Sequence, residues 1–340
     1  MVRSLREFSR LVGVSPATVS RVFSGSGKVA PETHKRILEL AEKLGFRPSA
    51  VGQVAFGGDT RSVGVLVPTL EVSFYAQVVS GLQEHLLDVD YLPIVLQSNL
   101  GDSDTHAVKR LLDHRVDAML LTFSSEALTP DDLGIVLRAK VPVVLLGAFR
   151  ASLALDAIDN DDVAGARTVG EHLVSLGHRR FGFCYFGEGH SNADLRLAGF
   201  REALATHALA LPDTNIIRLH PHHPNRETFM HDELLQLLSR TDRPTAIFAS
   251  TDDLARAVYA VAKELKLQIP RDLSVVGYAN LNFASQIEPP LTTVDQNGRE
   301  MGKRAAQIIL DRLENPTAPH RVEIISAQLV IRASTAPPKQ

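Results

Sequence analysis

The string Ser4-Leu5-Arg6-Glu7-Phe8-Ser9-Arg10-Leu11-Val12-Gly13-Val14-Ser15-Pro16-Ala17-Thr18-Val19-Ser20-Arg21-Val22 decides what the amino-terminal part of this chain is. Ser4 and Glu7 have the spacing at which a hydroxyl and a carboxylate reciprocally satisfy the unpaired amides of a helix start, so a first helix begins near Leu5. Leu5, Phe8 and Val12 fall on one face of it, and Gly13 supplies the permissive position that a tight turn needs. Ser15 as N-cap and Pro16 at the first helical position open a second helix at once. Val14, Val19 and Val22 point one way from this second helix. Ala17, Ser20, Arg21 and Ser24 follow the i, i+3, i+4, i+7 spacing on the other. That second face is short-chained, polar and basic, so it can approach base edges, with Arg21 able to give a guanine two hydrogen bonds in the major groove. A third helix, opened by Pro31, buries Ile37, Leu40, Ala41 and Leu44.

Val12 to Val22, Lys28-Val29 and Leu44-Gly45-Phe46-Arg47-Pro48 together resemble the head of the lactose-repressor (LacI/GalR) family of bacterial transcription regulators. The resemblance continues through Val63-Gly64-Val65-Leu66-Val67-Pro68, Leu176-Gly177-His178-Arg179-Arg180, Arg196-Leu197-Ala198-Gly199-Phe200, Val275-Val276-Gly277-Tyr278 and Pro290-Leu291-Thr292-Thr293-Val294. It implies an all-α helix-turn-helix head on an α/β periplasmic-binding-protein-like body of two doubly wound subdomains. The expected divisions are a DNA-binding domain at 1–47, a hinge helix and linker at 48–60, and an effector-binding and dimerisation domain at 61–340. Within the body, 61–159 with 291–319 and 160–290 with 320–334 are the expected subdomains.

With 340 residues, 44% of them apolar, the chain can bury two or three cores. Its net charge of −3 hides an asymmetry: through Arg61 there are ten Lys and Arg against five Asp and Glu, so the head is +5 and the remainder −8. A basic module on an acidic body suits phosphate binding by the head and discourages nonspecific adhesion by the rest. The single cysteine, Cys184, excludes an internal disulfide and reads as a buried strand residue within Phe181 to Phe186. No apolar signal segment or membrane-length run is visible, so the cytoplasm is the expected compartment.

After Arg61, apolar runs alternate with amphipathic stretches, the pattern of parallel sheets flanked by helices. Strands are expected at 63–67, 92–96, 118–123 and 141–146, then at 181–186, 216–219, 246–249 and 273–276. The resemblance implies three crossings between subdomains, near 158–160, 288–293 and 318–322, with the ligand in the cleft between them.

By the resemblance, Ser15, Pro16, Ala17, Thr18, Ser20 and Arg21 meet the operator's major groove, and Ser49, Val54, Ala55 and Phe56 of the tether meet its minor groove. The small side chains of Pro16 and Ala17 imply apolar contact with thymine methyls. Ala55 stands where family members carry a leucine wedge, and Gly52 weakens the tether helix by about 1 kcal/mol relative to alanine. Reduced operator bending, or wedging by Phe56 or Val54, is the expectation. Phe74, Tyr75, Arg196, Thr251, Asp252 and Asn280 are the implied effector contacts, Asp252 being alternatively the N-cap of the next helix. Core packing is the alternative for Phe74 and Tyr75, and a surface ion pair with Asp194 or Glu202 for Arg196. Two departures stand out: Thr251 replaces an asparagine, and Ala279 replaces an aspartate that grips ligand hydroxyls, with Asn280 next door to compensate. An unusual or smaller effector, or an anionic one such as a sugar acid attracted by Arg196, is the consequence.

The whole describes a regulator, a repressor by expectation, whose homodimer binds near-palindromic double-stranded DNA under control of a small effector, a sugar or related metabolite. No cofactor, metal or membrane partner is expected. A small-molecule-binding protein with weak or lost DNA binding is the alternative. An enzyme finds little support: Gly187-x-Gly189 lacks its next glycine, because Asn192 stands there, and no phosphate-binding loop string occurs. His220, His222 and His223 sit around prolines without further ligands at metal spacing, and Asp159, Asp161 and Asp162 read as helix capping and hinge charge. The polar tail from Ala333 has no leucine heptads, so a dimer rather than a coiled-coil tetramer is expected.

Overall fold

The computed structural model describes residues 4–24, 29–46, 59–98, 104–122, 130–147, 155–187, 191–220 and 225–339. The head is three helices, α1 (Leu5–Val12), α2 (Pro16–Ser24) and α3 (Pro31–Leu44). Ser4 accepts from the Glu7 amide at 3.1 Å, and Gly13 closes α1 in the left-handed region at φ 74°. Leu5, Phe8, Val12, Val19, Val22, Ile37, Ala41 and Phe46 form its core, where Phe8 and Phe46 stack at 4.1 Å. Leu40 and Leu44, expected inside, are only partly buried.

The body contains two parallel sheets. The first carries β1 (Ser62–Val67), β2 (Leu92–Gln97), β3 (Ala118–Leu121), β4 (Val143–Leu146), β5 (Asp156–Asn160) and β11 (Val322–Ile325), in the order β11-β5-β4-β3-β1-β2. The second carries β6 (Phe181–Phe186), β7 (Ile216–Leu219), β8 (Ala246–Ala249) and β9 (Ser274–Val276), in the order β7-β6-β8-β9. Chain order reverses between β1 and β3 in the first sheet and between β6 and β8 in the second. Such switch points leave crevices outside the carboxyl ends of the strands.

All eight expected strands are present with small shifts of their ends, but β5 and β11 correct the reading. The crossing expected near 158–160 is preceded by a strand that the sequence reading misses, 156–160, which is buried and whose Asp156 takes two 2.8 Å hydrogen bonds from Arg312 and one from the Arg321 amide. A run with three polar residues in five sits in a sheet because distant donors satisfy it. The expected boundaries near 290 and 319 move as well. Thr292 bridges to Val276 of the second sheet, while β10 (Thr293–Asp295) and β12 (Gln328–Val330) pair antiparallel. Residues 291–295 therefore lie with the second subdomain, and 322–325 with the first.

Helices flank the sheets. Two of them, α4 (Ser73–Leu87) and the helix Gly298–Glu314, approach closely where Gly81 faces the Arg299 carbonyl and Gly302 faces that of Val78; a methyl group at Gly302 would lie 2.0 Å from the latter oxygen. The carboxyl-terminal tail runs along the edge of β9. Val275 donates to the Ser334 carbonyl at 2.9 Å and accepts from the Ser334 hydroxyl at 2.6 Å. His178 and His172 reach the same tail, at Ala336 and Thr335. Among the described residues no helix is long and apolar enough to cross a membrane.

Candidate DNA-binding face and effector cleft

Helix α2 is anchored from below by buried Val19 and Val22, and this fixes what it presents. Ser15 is exposed and accepts from the Thr18 amide at 3.1 Å, with its hydroxyl 2.8 Å from that of Thr18. Pro16, Ala17 and Thr18 are half-buried, and Arg21 is exposed. Ser20, read as part of the outer face, is instead 7% exposed and turned toward the head's interior. Ser49, Val54, Ala55 and Phe56 lie outside the described residues.

Phe74 and Tyr75 open α4 as half-buried side chains with ring centroids 5.2 Å apart, packed against the core of the first subdomain. Burial raises the Tyr75 phenol above its ordinary value, and the charge of Arg196 from the other subdomain partly offsets this. A direct bond also joins the two subdomains here, the Asn282 amide donating to Ser73 Oγ at 3.2 Å.

Arg196 lies on the helix Ser191–Ala205, pointing inward. Its Nε donates to Asp162 Oδ1 at 2.8 Å, one Nη donates to the Ser250 carbonyl at 2.7 Å, and the guanidinium sits 3.9 Å from the Tyr278 ring centroid. The surface pair with Asp194 or Glu202 is thus corrected: Glu202 pairs with Arg167, and the partner of Arg196 is the fully buried Asp162. Asn192 supplies a second donor to Asp162, at 2.6 Å. In the acidic cluster, Asp161 caps the helix Asp162–Ser175 through the Ala164 amide and Asp162 holds the arginine. The spacing of this cluster marks the cap, but nothing in it identifies a partner 34 positions away.

Thr251, not Asp252, is the N-cap of the helix Asp252–Glu264, accepting from the Leu254 amide at 3.3 Å. Asp252 is fully buried and accepts from the Leu281 amide at 2.7 Å and the Thr293 hydroxyl at 2.5 Å. Burial pushes its carboxyl up to about 6, against the pull of those two bonds. Asn280, in the left-handed region at φ 49°, gives its amide nitrogen to Asp295 at 2.9 Å and takes a bond from Arg332 at 2.7 Å. Both residues are engaged by partners on neighbouring segments. Three buried side-chain oxygens have no hydrogen-bond partner among the described residues: Thr122 Oγ1, Ser250 Oγ and Tyr278 Oη. No group of three or more metal-ligating side chains occurs among the described residues; His222 and His223 lie outside them.

Comparison with known proteins places both modules. The model of bacterial regulatory proteins of the lacI family matches residues 4–49, and that of a periplasmic binding protein-like domain matches 170–335. The HTH-type transcriptional repressor PurR of Photobacterium profundum is 30% identical over 97% of this chain and 98% of its own length. A LacI family transcriptional regulator from Enterococcus faecium, solved with bound ribose, is 27% identical with a TM-score of 0.71, covering 82% of this chain and 100% of that one. The Lac repressor dimer bound to operator has a TM-score of 0.83 over 99% of this chain and 100% of that one; at 23% identity this is a likeness of fold.

Proposed function

The chain belongs to the lacI family of bacterial regulatory proteins, and we propose that it is a cytoplasmic repressor whose grip on a near-palindromic operator is set by a small molecule, a sugar or related metabolite, held between the two body subdomains. The observation that carries this reading is the face of α2 on which exposed Ser15 and Arg21 flank half-buried Pro16, Ala17 and Thr18, mounted on a closed apolar core that keeps its geometry fixed. Two such heads in a homodimer read successive major grooves, with Ser15 and Arg21 foremost and Pro16, Ala17 and Thr18 beside them. Ser49, Val54, Ala55 and Phe56 of the tether take the minor-groove role, in a division of 1–47 for the head and 48–60 for the hinge helix and linker. Effector binding shifts the population of body conformations and so the spacing of the heads. No catalytic step enters this scheme.

Selection of the purified protein on random duplex DNA tests it, followed by salt-dependent affinity for whatever is enriched. An inverted repeat bound with steep salt dependence is the expected result. Folded protein that enriches nothing at low salt, alone or with candidate effectors, would leave a ligand-binding module in place of a regulator.

A further inference from the structure

Three neighbouring strands of the second sheet each have an arginine at their amino end. Arg180 immediately precedes β6, Arg243 stands three residues before β8, and Arg271 three residues before β9. The register pairs Phe181 with Ala246 and Ala246 with Ser274, so the three ends are level with one another. With Thr245, Asp272 and Lys339 of the carboxyl-terminal tail, these arginines line a cavity of about 200 Å³. It lies at the opposite end of the sheet from the crevice outside the carboxyl ends of the strands.

Two of the arginines are held by bonds that leave their charge uncancelled. Arg180 Nε donates to the Arg243 carbonyl at 3.1 Å, and an Arg243 Nη donates to the Asp272 carbonyl at 2.9 Å; both acceptors are neutral. Asp272 is the one carboxylate among the described lining residues. It already accepts from Arg271 Nη and the Gln268 amide, both at 3.0 Å, and has Lys339 Nζ at 3.8 Å. Asp242 nearby is taken by Arg240 through bonds of 2.9 and 2.8 Å, and Arg179 turns to the His178 carbonyl. Four cations therefore share one carboxylate, on a body that is acidic as a whole. A concave wall of one sign concentrates counter-ions. Guanidinium groups pinned by one N–H present the others as the fork that suits phosphate oxygens. The cavity is smaller than the roughly 300–1,000 Å³ of pockets that take drug-sized molecules, and its cations converge instead of forming the row that a duplex backbone needs. We propose that it binds a phosphoryl group, free or carried by a small metabolite, at a site separate from both the head and the crevice between the subdomains. The tail is tied to β9 through Ser334 and Ala336, so an oxyanion held by Lys339 and the arginines fastens residue 339 against the strand ends.

Isothermal titration and thermal-shift measurements on the full chain test it, with inorganic phosphate, glycerol 3-phosphate and glycerol as probes at an ionic strength held constant with sodium chloride. Both phosphates are expected to raise the melting temperature and glycerol to leave it unchanged. Glycerol 3-phosphate binding about tenfold more tightly than phosphate would identify a carried phosphoryl group as the ligand; equal or weaker binding would identify the free ion. Arg180→Gln and Lys339→Gln should each weaken phosphate by about tenfold, the equivalent of one charge-assisted hydrogen bond. The Lys339 side chain is 68% exposed, so its variant reads the site even where Arg180→Gln disturbs the fold. Arg21→Ala, on the head, should leave phosphate binding unchanged. Absence of stabilisation at constant ionic strength, binding that survives both glutamine variants, or binding lost with Arg21→Ala instead would overturn the proposal. Random-sequence duplex DNA held in preference to both small anions, and released by the glutamine variants, would overturn it in favour of a nucleic-acid contact.

Discussion

Asn160 and Gln296 hold each other across two of the three chain crossings. Gln296 Nε2 donates to Asn160 Oδ1 at 3.0 Å, while Asn160 Nδ2 donates to the Gln296 carbonyl at 2.8 Å and to that of Ile325 at 3.3 Å. The third crossing joins through Asn297, which donates to the Ser326 carbonyl at 2.9 Å. Asn160→Ala leaves buried carbonyls and the Gln296 amide without partners and is expected to lower stability by about 1–3 kcal/mol. Urea denaturation measures this; a change below about 0.5 kcal/mol would mean that water replaces the pair.

The Arg196 and Asp162 side chains are both nearly inaccessible, so removing one strands the other's charge. Arg196→Met alone is expected to destabilise by about 3–5 kcal/mol, and adding Asp162→Asn to recover part of that loss. A double-mutant cycle reads the coupling directly; additive effects would show that the two charges do not support each other.

Arg21 is exposed on α2, so its loss should spare the fold. Arg21→Ala is expected to weaken operator binding by about 1–3 kcal/mol and to relax preference at one base pair in each half-site. Affinity on the enriched duplex and on single-base variants of it decides the point, with helical content checked by circular dichroism.

Two buried groups titrate in opposite directions. Burial, opposed by a bond to the Ala336 carbonyl, lowers His178 from 6.5 to about 4, so between those values the unfolded chain binds more protons and stability falls as the pH drops. Asp252 is raised from 3.8 to about 6, so its contribution is present in acid and lost as the pH rises through about 6. Asp252→Asn removes the second slope. From about pH 4 to 6 the variant's urea midpoint should rise with pH more steeply than that of the wild type; parallel profiles would exclude Asp252 as the source.

The strands visible in the sequence are those built almost wholly of apolar or small residues, such as Val63 to Val67 and Ala246 to Ala249, with Arg218 in β7 the one charged residue among them. Asp156-Ala157-Ile158-Asp159-Asn160 escapes such a reading because its burial depends on Arg312 and Gln296, more than 130 positions along the chain. The head is legible almost to the residue, since caps and apolar spacing are local signals; Ser20 differs because a small polar side chain fits either face of α2. In the cleft, side-chain type indicates which residues come together but not which of their atoms are already engaged. Asp252 and Asn280 gather at the expected place and spend their hydrogen bonds on Leu281, Thr293, Asp295 and Arg332.

The triple crossing also governs which parts can be exchanged. Between residues 46 and 59 the chain passes from head to body once, so one junction suffices to graft this head onto another body or to give this body a new operator. Neither body subdomain is a single stretch: the first takes up residues from 62 to 160, returns with the helix Gly298–Glu314 and returns again with β11. Exchanging one subdomain therefore needs three matched junctions, each passing through the Asn160 and Gln296 lacing or beside it. Operator choice is a portable trait of this architecture, whereas effector choice travels only with the entire body.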